Sequence, residues 1–260
     1  MGFSEFKNED DFKTQCGYEI DGQWYPRVTR IVDMKAKPAL YRFYAMHGFD
    51  GAKAISQKSA EEGTAVHEAV EKILIGQRPG DMPATIVPSV RAFLEFIKEN
   101  KIKVDPTHVE RRIMNPEHRY AGTIDTMAEI GGKFGVLDIK TSENIYRDYN
   151  IQTSAYMDAL TREFSNLSTR WILRIDQNQL CLRCNATKRN KGGREKIKNN
   201  GRKNIDLCPS YSHDWGEVKG IIELRELTDP WQADFKAFLG AKHLWEWEHR
   251  DMLQAIGYLK

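Results

Sequence analysis

Two apolar segments joined by a pair of glycines constrain the fold of this chain more than any other feature. The segments cover residues 120–129 and 133–140, and Gly131-Gly132 lies between them. A glycine pair between two strand-like segments is a typical hairpin turn, because glycine adopts the positive φ angles that such turns need. The sequence therefore predicts two antiparallel strands that lie side by side in a sheet.

Charged residues interrupt this predicted hairpin. Alternate side chains of a strand point to the same face, so Asp138 and Lys140 share one face and Leu137 and Ile139 share the other. Asp125 lies on the strand that pairs with this one. Two carboxylates and a lysine on paired strands can hold one or two divalent cations with a water molecule beside them. A cross-strand ion pair on a solvated face is the structural alternative.

The segments around the hairpin predict a mixed α/β domain. Ser59, followed by Glu62 three residues later, has the pattern of a helix N-cap with a capping box. Apolar spacing and turn residues predict helices over 37–48, 59–76, 88–101 and 146–164 and from Pro230, and further strands over 107–114, 169–176 and 219–226. This order predicts a single domain over residues 1–260, with a central mixed sheet flanked by helices.

A polar segment separates the last two predicted strands and indicates an inserted module over residues 178–216. It contains Cys181 and Cys184 in a C-x-x-C pattern, followed by Cys208 and His213. Three thiolates and one imidazole form a closed tetrahedral set of the kind that binds structural zinc. The segment has too few apolar residues to form a core of its own, which favours a finger stabilised by metal.

Basic residues are concentrated in the same segment. Residues 188–203 contain eight lysines and arginines and one acid, Glu195. The candidate nucleic-acid-binding residues are the first six of these basic residues: Lys188, Arg189, Lys191, Arg194, Lys196 and Lys198. Such a run is typical of a phosphate-binding surface, and a solvated loop is the structural alternative.

Four short motifs follow one another along the chain. A G-x-x-x-H motif ends at His67, a G-x-x-D motif ends at Asp125, D-x-K begins at Asp138, and Q-x-x-x-Y joins Gln152 and Tyr156. In this order they resemble the motifs of the PD-(D/E)XK nucleases, and in particular those of the RecB-like exonuclease branch. The resemblance covers most of the chain outside the basic insertion, and it implies a restriction-endonuclease-like fold.

The resemblance also implies the roles of individual residues in a metal-dependent deoxyribonuclease. The expected ligands of a catalytic Mg²⁺ or Mn²⁺ are His67, Asp125, Asp138 and the backbone carbonyl of Ile139. Lys140 is the expected catalytic base or water-orienting group. Gln152 and Tyr156 are expected to position Lys140 or the nucleic-acid backbone. Glu110 stands where family members often carry an acid on the first strand, with a structural role as the alternative.

Further alternatives stay open at this point. Many RecB-like nucleases hold an iron–sulfur cluster with four cysteines, and Cys16 with the three later cysteines matches that number, although not the usual spacing. A 4Fe-4S cluster would fit a nuclease of the CRISPR-adaptation type. A non-catalytic nucleic-acid-binding subunit of the same fold is the alternative from a different class, and the complete set of aspartates and lysine argues against it.

The remaining composition indicates a soluble protein inside the cell. No stretch approaches the roughly 20 apolar residues that are needed to cross a bilayer. The N-terminus is polar and acidic, unlike a secretory signal. We therefore expect a cytoplasmic protein whose partner is DNA, single-stranded or with free ends, in DNA repair or recombination.

Overall fold

The computed structural model describes residues 6–199, 208 and 212–260. Its helices are α1 (Glu9–Cys16), α2 (Val28–Val32), α3 (Pro38–His47), α4 (Phe49–Leu74), α5 (Val87–Glu99), α6 (Asp148–Leu160), α7 (Trp231–Glu248) and α8 (Arg250–Ala255), with a short 3-10 helix at Pro106–His108. Its strands are β1 (Gly17–Ile20), β2 (Gln23–Pro26), β3 (Lys103–Val104), β4 (Arg111–Asn115), β5 (Tyr120–Ile124), β6 (Thr126–Ile130), β7 (Lys133–Lys140), β8 (Leu167–Cys181), β9 (Thr187–Lys191), β10 (Arg194–Lys198) and β11 (Trp215–Glu226). None of the helices in this part of the chain is both long and apolar enough to cross a lipid bilayer.

A mixed sheet forms the centre of the described chain, in the strand order β10-β9-β8-β7-β6-β3, and β11 also pairs with β8. β7 and β8 run parallel, whereas the other pairs in this sheet are antiparallel. Parallel neighbours need a long crossover connection, which α6 provides between these two strands. The predicted α/β architecture with a mixed sheet flanked by helices is confirmed.

β8 is long enough to have two successive neighbours along one side. Its residues 167–174 pair with β7, and its residues 179–180 pair with β9. β9 therefore continues the sheet beyond Lys140, the last residue of β7. The inserted β9–β10 hairpin thus lies directly beyond the end of the strand that carries Asp138 and Lys140.

The inserted segment begins and ends inside one antiparallel pair. β8 and β11 pair as far as Cys181 and Trp215, so both strands extend further than the predicted segments 169–176 and 219–226. Between them, β9 and β10 form an antiparallel hairpin. Over residues 187–198 the basic run is therefore ordered as β-structure and is not a solvated loop, because hydrogen bonds to β8 extend the central sheet into it.

The central sheet separates two apolar cores. On β7, Val136 packs into the core that involves α1, α2, α6 and α7, whereas Leu137 and Ile139 pack into the core that involves α4 and α5. Burial of a side chain of this size contributes about 1.5–3 kcal/mol, so the alternation fixes the register of β7. Asp138 and Lys140 consequently lie on the same face as Val136, which is the face covered by α6.

Two local predictions are wrong. Ser59 is not an N-cap, because α4 begins at Phe49, and Gly48, with a φ of 67°, separates α4 from α3. Most residues just before Ser59 are good helix formers, so the capping-box pattern falls inside a continuous helix. The segment 120–129 is not one strand, because the chain bends at Asp125 and the strands on either side pair in different sheets.

Candidate functional site

Asp125 lies at the bend where the chain passes from β5 to β6. β5 pairs with β4 in a separate two-stranded sheet, whereas β6 joins β7 in the central sheet. The Asp125 carbonyl accepts a hydrogen bond from the Glu110 N–H at 2.9 Å, and its carboxylate Oδ2 accepts one from the Ile139 N–H at 2.5 Å. These two bonds fix the carboxylate at the junction of the two sheets. The assignment of the Ile139 carbonyl to a metal, which the resemblance implies, stays a prediction.

One imidazole and two carboxylates converge at this junction. Ligand atoms of His67, Glu110 and Asp125 all lie within 4.8 Å of one another, and His67 Nδ1 is 3.8 Å from Asp125 Oδ1. Glu110 has a φ of 49°, a left-handed conformation that is uncommon outside glycine. A single nitrogen donor with two carboxylates suits a divalent cation such as Mn²⁺. Glu110 therefore shares in this group of donors, which the sequence did not establish.

The electrostatics of the group favour a bound cation. Burial, together with the nearby Lys140 ammonium, lowers the pKa of His67 to about 4, so the imidazole is neutral and offers a lone pair. Burial and the carboxylates of Asp125 and Glu71 raise the pKa of Glu110 to about 7. Burial also raises the pKa of Asp125. Crowded carboxylates with raised pKa values are relieved by a positive charge, and a divalent cation provides one.

Asp138 and Lys140 form a buried ion pair on β7. Lys140 Nζ lies 2.7 Å from Asp138 Oδ2, and the Asp138 side chain is 2% exposed. Burial raises the pKa of Asp138 to about 6, although Lys140 counteracts this. Burial alone would lower the pKa of Lys140, but the carboxylates of Asp138 and Asp125 raise it overall. Lys140 is thus held as an ammonium, which suits a group that orients water or offsets negative charge better than it suits a base.

The four expected charged residues therefore divide into two neighbouring sets. Asp125 joins His67 and Glu110, whereas Asp138 lies outside that set of converging donors and pairs with Lys140. The Ile139 N–H bond to Asp125 links the two sets, because Ile139 lies between Asp138 and Lys140 in the strand. Metal donors and the ammonium group are consequently adjacent but distinct.

Gln152 and Tyr156 support Asp138 from α6. Gln152 Nε2 lies 3.4 Å from Asp138 Oδ1 and donates a hydrogen bond of 2.8 Å to the Tyr156 hydroxyl. Gln152 therefore contacts Asp138, the ion-pair partner of Lys140, and the expectation that Gln152 and Tyr156 position Lys140 or the nucleic-acid backbone stays a prediction. The spacing of four residues places both on one face of the helix, as the motif indicates.

The glycines of two motifs are required by close packing. A Cβ atom on Gly63 would lie 2.8 Å from Thr141 Oγ1, and one on Gly122 would lie 2.7 Å from the Tyr156 ring. At Gly63 the missing side chain lets α4 approach the end of β7, and His67 follows one turn later on the same face. The sequence contains both glycines, but only the packing explains why these positions lack a side chain.

The three later cysteines and His213 form a second group of possible ligands. Their ligand atoms all lie within 4.8 Å of one another, with Cys181 Sγ 3.8 Å from Cys208 Sγ and Cys184 Sγ 3.3 Å from His213 Nδ1. All three cysteines are buried. The Trp215 ring packs on His213 with centroids 4.6 Å apart. A buried set of three thiols and one imidazole can hold a metal with no open position.

Cys16 lies elsewhere in the fold. It ends α1 and packs in the apolar core that contains Phe12 and Val28, whereas Cys181, Cys184 and Cys208 form a small cluster of their own. Among the described residues, the group of converging Cys and His ligands does not include Cys16. Within the described ranges, the side chain that joins Cys181, Cys184 and Cys208 is therefore that of His213 and not that of Cys16.

The basic residues of the insertion differ in how far they are neutralised. Acids lie close to four of them: Lys188 to Glu195, Arg189 to Asp176, and both Lys196 and Lys198 to Glu143. Lys191 Nζ donates to the carbonyl of Thr141, and the Arg194 guanidinium lies 5.4 Å from the centre of the Phe43 ring. Arg202 and Lys203 lie outside the described residues. A role of these side chains in nucleic-acid binding stays a prediction.

The described residues thus contain two groups of possible metal ligands with different chemistry. The carboxylate, imidazole and ammonium groups form one charged centre, and the thiols form a separate closed set. Neither a scan against models of known protein families nor a search of curated proteins finds a match for this chain.

Proposed function

We propose that the protein is a metal-dependent nuclease of the PD-(D/E)XK type that hydrolyses phosphodiester bonds of DNA. The observation that carries this proposal is the convergence of His67, Glu110 and Asp125 next to the buried Asp138–Lys140 pair. These residues come from α4, from the turn before β4, from the β5–β6 bend and from β7. The motif order that resembles RecB-like exonucleases supports the same activity and a restriction-endonuclease-like fold.

The donor set fits Mg²⁺ or Mn²⁺. Both ions prefer carboxylate oxygens, and Mn²⁺ also accepts an imidazole. Burial and neighbouring carboxylates raise the pKa of Glu110, and burial raises that of Asp125 although the Lys140 ammonium counteracts it, so a bound cation would stabilise the ionised carboxylates. When bound, the ion supplies positive charge that neutralises phosphate oxygens and lowers the pKa of water.

The side chains around the metal donors would have separate roles in cleavage. Lys140, held as an ammonium, orients the attacking water or offsets negative charge that develops on the phosphate. Asp138 fixes the position of Lys140 through their ion pair, and Gln152 with Tyr156 fixes Asp138. His67 stays neutral at physiological pH and contributes its lone pair. The cleft that contains His67 and Glu110 is open to solvent and about 440 Å³ in volume, so a substrate can reach these donors.

A purely binding role is less consistent with this centre. Nucleic-acid binding needs exposed cations and exposed rings, and it does not need a lysine buried against two aspartates. Desolvation of charged groups is unfavourable even when they are paired. The charged centre therefore favours chemistry over binding alone.

We also propose that Cys181, Cys184, Cys208 and His213 bind one structural zinc ion. Three thiolates and one imidazole complete a tetrahedral shell and leave no position for a substrate. The group lies where β8 ends and β11 begins, so a metal there would close the base of the insertion. The zinc ion would stabilise the insertion and would take no part in cleavage.

Cleavage assays with end-labelled DNA test the nuclease proposal. Single-stranded and duplex DNA are incubated with Mg²⁺, Mn²⁺ or EDTA, and a parallel set uses RNA of the same sequence. We expect the wild-type protein to shorten DNA with either divalent ion and not with EDTA, and Asp138→Asn to leave the DNA intact. Wild-type protein that cleaves nothing with either ion, while it contains its Cys/His metal and is folded, contradicts the proposal.

A further inference from the structure

The β9–β10 hairpin is docked between the end of β7 and α4. Lys191 Nζ donates to the carbonyl of Thr141, which directly follows β7, and the Gly192 N–H donates to Glu62 Oε2 at 3.0 Å. The first contact reaches the strand that carries Lys140, and the second reaches the helix that carries His67. The tip of the hairpin therefore forms a wall beside the candidate metal centre.

A cleft of about 300 Å³ lies between this hairpin and the helices α3 and α4. Its walls carry four basic side chains, among them Lys191, Arg194 and Lys196, and one acid, Glu143. Phe43 of α3 lines the same cleft. We call this space the hairpin cleft.

The hairpin cleft leads to the candidate metal centre. Ser59 lines both the hairpin cleft and the open cleft that contains His67 and Glu110. Thr141 lines the open cleft that contains His67, and its carbonyl accepts a hydrogen bond from Lys191, which lines the hairpin cleft. Ser59 and His67 are eight residues apart on α4, which is about 12 Å along a helix. A flexible polymer that occupies the hairpin cleft is thus brought to the metal donors within a few monomer units.

Positive charge in the hairpin cleft exceeds the negative charge that faces it. Within the part of the chain that the structure describes, Lys191 and Arg194 have no acidic partner within ion-pair distance, and Lys196 shares Glu143 with Lys198. The side of the metal cleft formed by Glu68, Glu71 and Glu110 is acidic by contrast. An anionic ligand is therefore attracted to the hairpin cleft and repelled from the metal donors until a cation is bound.

An aromatic ring accompanies this charge. The Arg194 guanidinium lies over the Phe43 ring, a planar pair against which a nucleic-acid base can stack. Cations that follow a cleft, together with rings beside them, are the features with which proteins bind single-stranded nucleic acid.

We propose that the hairpin cleft binds one strand of nucleic acid and feeds it to the candidate metal centre. Phosphates contact Lys191, Arg194 and Lys196, and a base stacks on Phe43. A duplex hides the faces of its bases, so the ring contact selects a single strand. The proposal deepens the proposed nuclease function and rests on it for the fate of the strand, whereas binding itself is measured separately.

Binding is tested without catalysis, with a fluorescent oligothymidylate in the absence of added Mg²⁺ or Mn²⁺, so that the Cys/His group keeps its metal, and with fluorescence anisotropy over a range of NaCl concentrations. The double variant Arg194→Ala/Lys196→Ala removes two contacts, so the slope of log K against log salt should decrease by about 1.4. Phe43→Leu keeps the site apolar and removes the ring, so affinity should fall by about 5- to 100-fold. The control Lys98→Ala/Arg250→Ala removes the same charge from exposed positions on α5 and α8 and should bind like the wild type.

The outcomes separate this proposal from the nuclease proposal. Unchanged affinity and salt slope in the double variant, equal affinity for duplex DNA, or equally strong competition by polyglutamate would each overturn the hairpin cleft as a strand-binding site. With Mn²⁺, the wild type should hydrolyse both oligonucleotides and the small substrate thymidine 5′-(4-nitrophenyl phosphate). Cleavage of oligonucleotides should decrease in Arg194→Ala/Lys196→Ala and stay at the wild-type level in the control Lys98→Ala/Arg250→Ala. A wild type that binds the strand and hydrolyses neither substrate refutes the nuclease function alone.

Discussion

The two groups of possible metal ligands differ in how the chain assembles them. The centre formed by His67, Glu110 and Asp125 takes its donors from separate elements that meet only through the central sheet, and it opens to solvent. The Cys/His group takes its ligands from one insertion between two paired strands, and its thiols are buried. An open set of hard donors suits chemistry at the metal, whereas a closed set of thiolates suits structure. The difference favours a catalytic role for the open group and a stabilising role for the Cys/His group.

The largest effect should come from loss of the metal in the closed group. Cys184→Ser removes one of four ligands, and binding at such sites contributes on the order of 10 kcal/mol to local order. Metal content by mass spectrometry should fall from one zinc per chain to a small fraction of that. Limited proteolysis should then cut first between β8 and β11 and leave the rest of the chain protected.

Cys16→Ala is the matched control for that variant. Cys16 belongs to a different core from the other cysteines, so its loss should leave the metal content unchanged. Protein purified without oxygen should be colourless. A brown protein with about four irons per chain, lost in Cys16→Ala, would establish the iron–sulfur alternative instead.

The next largest effect concerns the charged centre. Asp138→Asn keeps the volume of the side chain and removes the carboxylate that pairs with Lys140, and cleavage should fall on the order of a thousandfold. Asparagine is preferable to alanine here, because truncating one partner of a buried ion pair typically destabilises a protein by about 3–5 kcal/mol. Initial rates with Mn²⁺ give the comparison, and Asp229→Asn at an exposed site is the control. Rates within threefold of the wild type would remove Asp138 from the active site.

A smaller effect should distinguish a metal ligand from a packing residue at His67. His67→Ala removes one donor from the open group, so the apparent affinity for Mn²⁺ should fall by about 10- to 100-fold. Activity should be lost at low Mn²⁺ concentration and partly regained at high concentration. His243→Ala, on an exposed position of α7, is the control. A lower Tm with an unchanged Mn²⁺ dependence would mean that His67 contributes to packing only.

The sequence predicted the elements that carry a regular pattern. The β6–β7 hairpin, the amphipathic α5 and the crossover helix α6 follow from turn residues and apolar spacing, and the structure confirms them. The mixed sheet flanked by helices is also confirmed. The predicted start of α4 at Ser59 was wrong, because a capping-box pattern does not mark a helix start when the residues before it also favour helix formation.

The parts that the sequence did not predict depend on contacts between distant residues. The convergence of Glu110 with His67 requires the bend at Asp125, and no local signal marks a strand that changes sheets. The contact between Gln152 and Asp138 depends on which face of β7 is covered by α6. The place of the hairpin beyond the end of β7 depends on the length of β8, which extends past its apolar residues. Spacing in one sequence carries none of this information.

The last expected effect is a pH dependence of stability that comes from Asp138 in the charged centre. Burial raises the pKa of Asp138 from 3.8 to about 6 in the metal-free fold. Between pH about 4 and 6 the folded protein therefore binds this proton more tightly than the unfolded chain does, so the free energy of unfolding decreases as the pH rises. The contribution is fully present below pH 4, is lost by about pH 6, and amounts to at most about 3 kcal/mol.

Urea unfolding without added Mg²⁺ or Mn²⁺ at several pH values measures this contribution. The wild type should lose stability between pH 4 and 6 relative to Asp138→Asn, which has no proton to release at this position. Addition of Mn²⁺ at pH 7 should stabilise the wild type more than the variant, because the ionised Asp138 carboxylate lies next to the donors that would hold the cation. Parallel pH profiles for the two proteins would mean that burial does not raise the pKa of Asp138. Glu110 and Asp125 would then be the remaining carboxylates of the charged centre with a raised pKa.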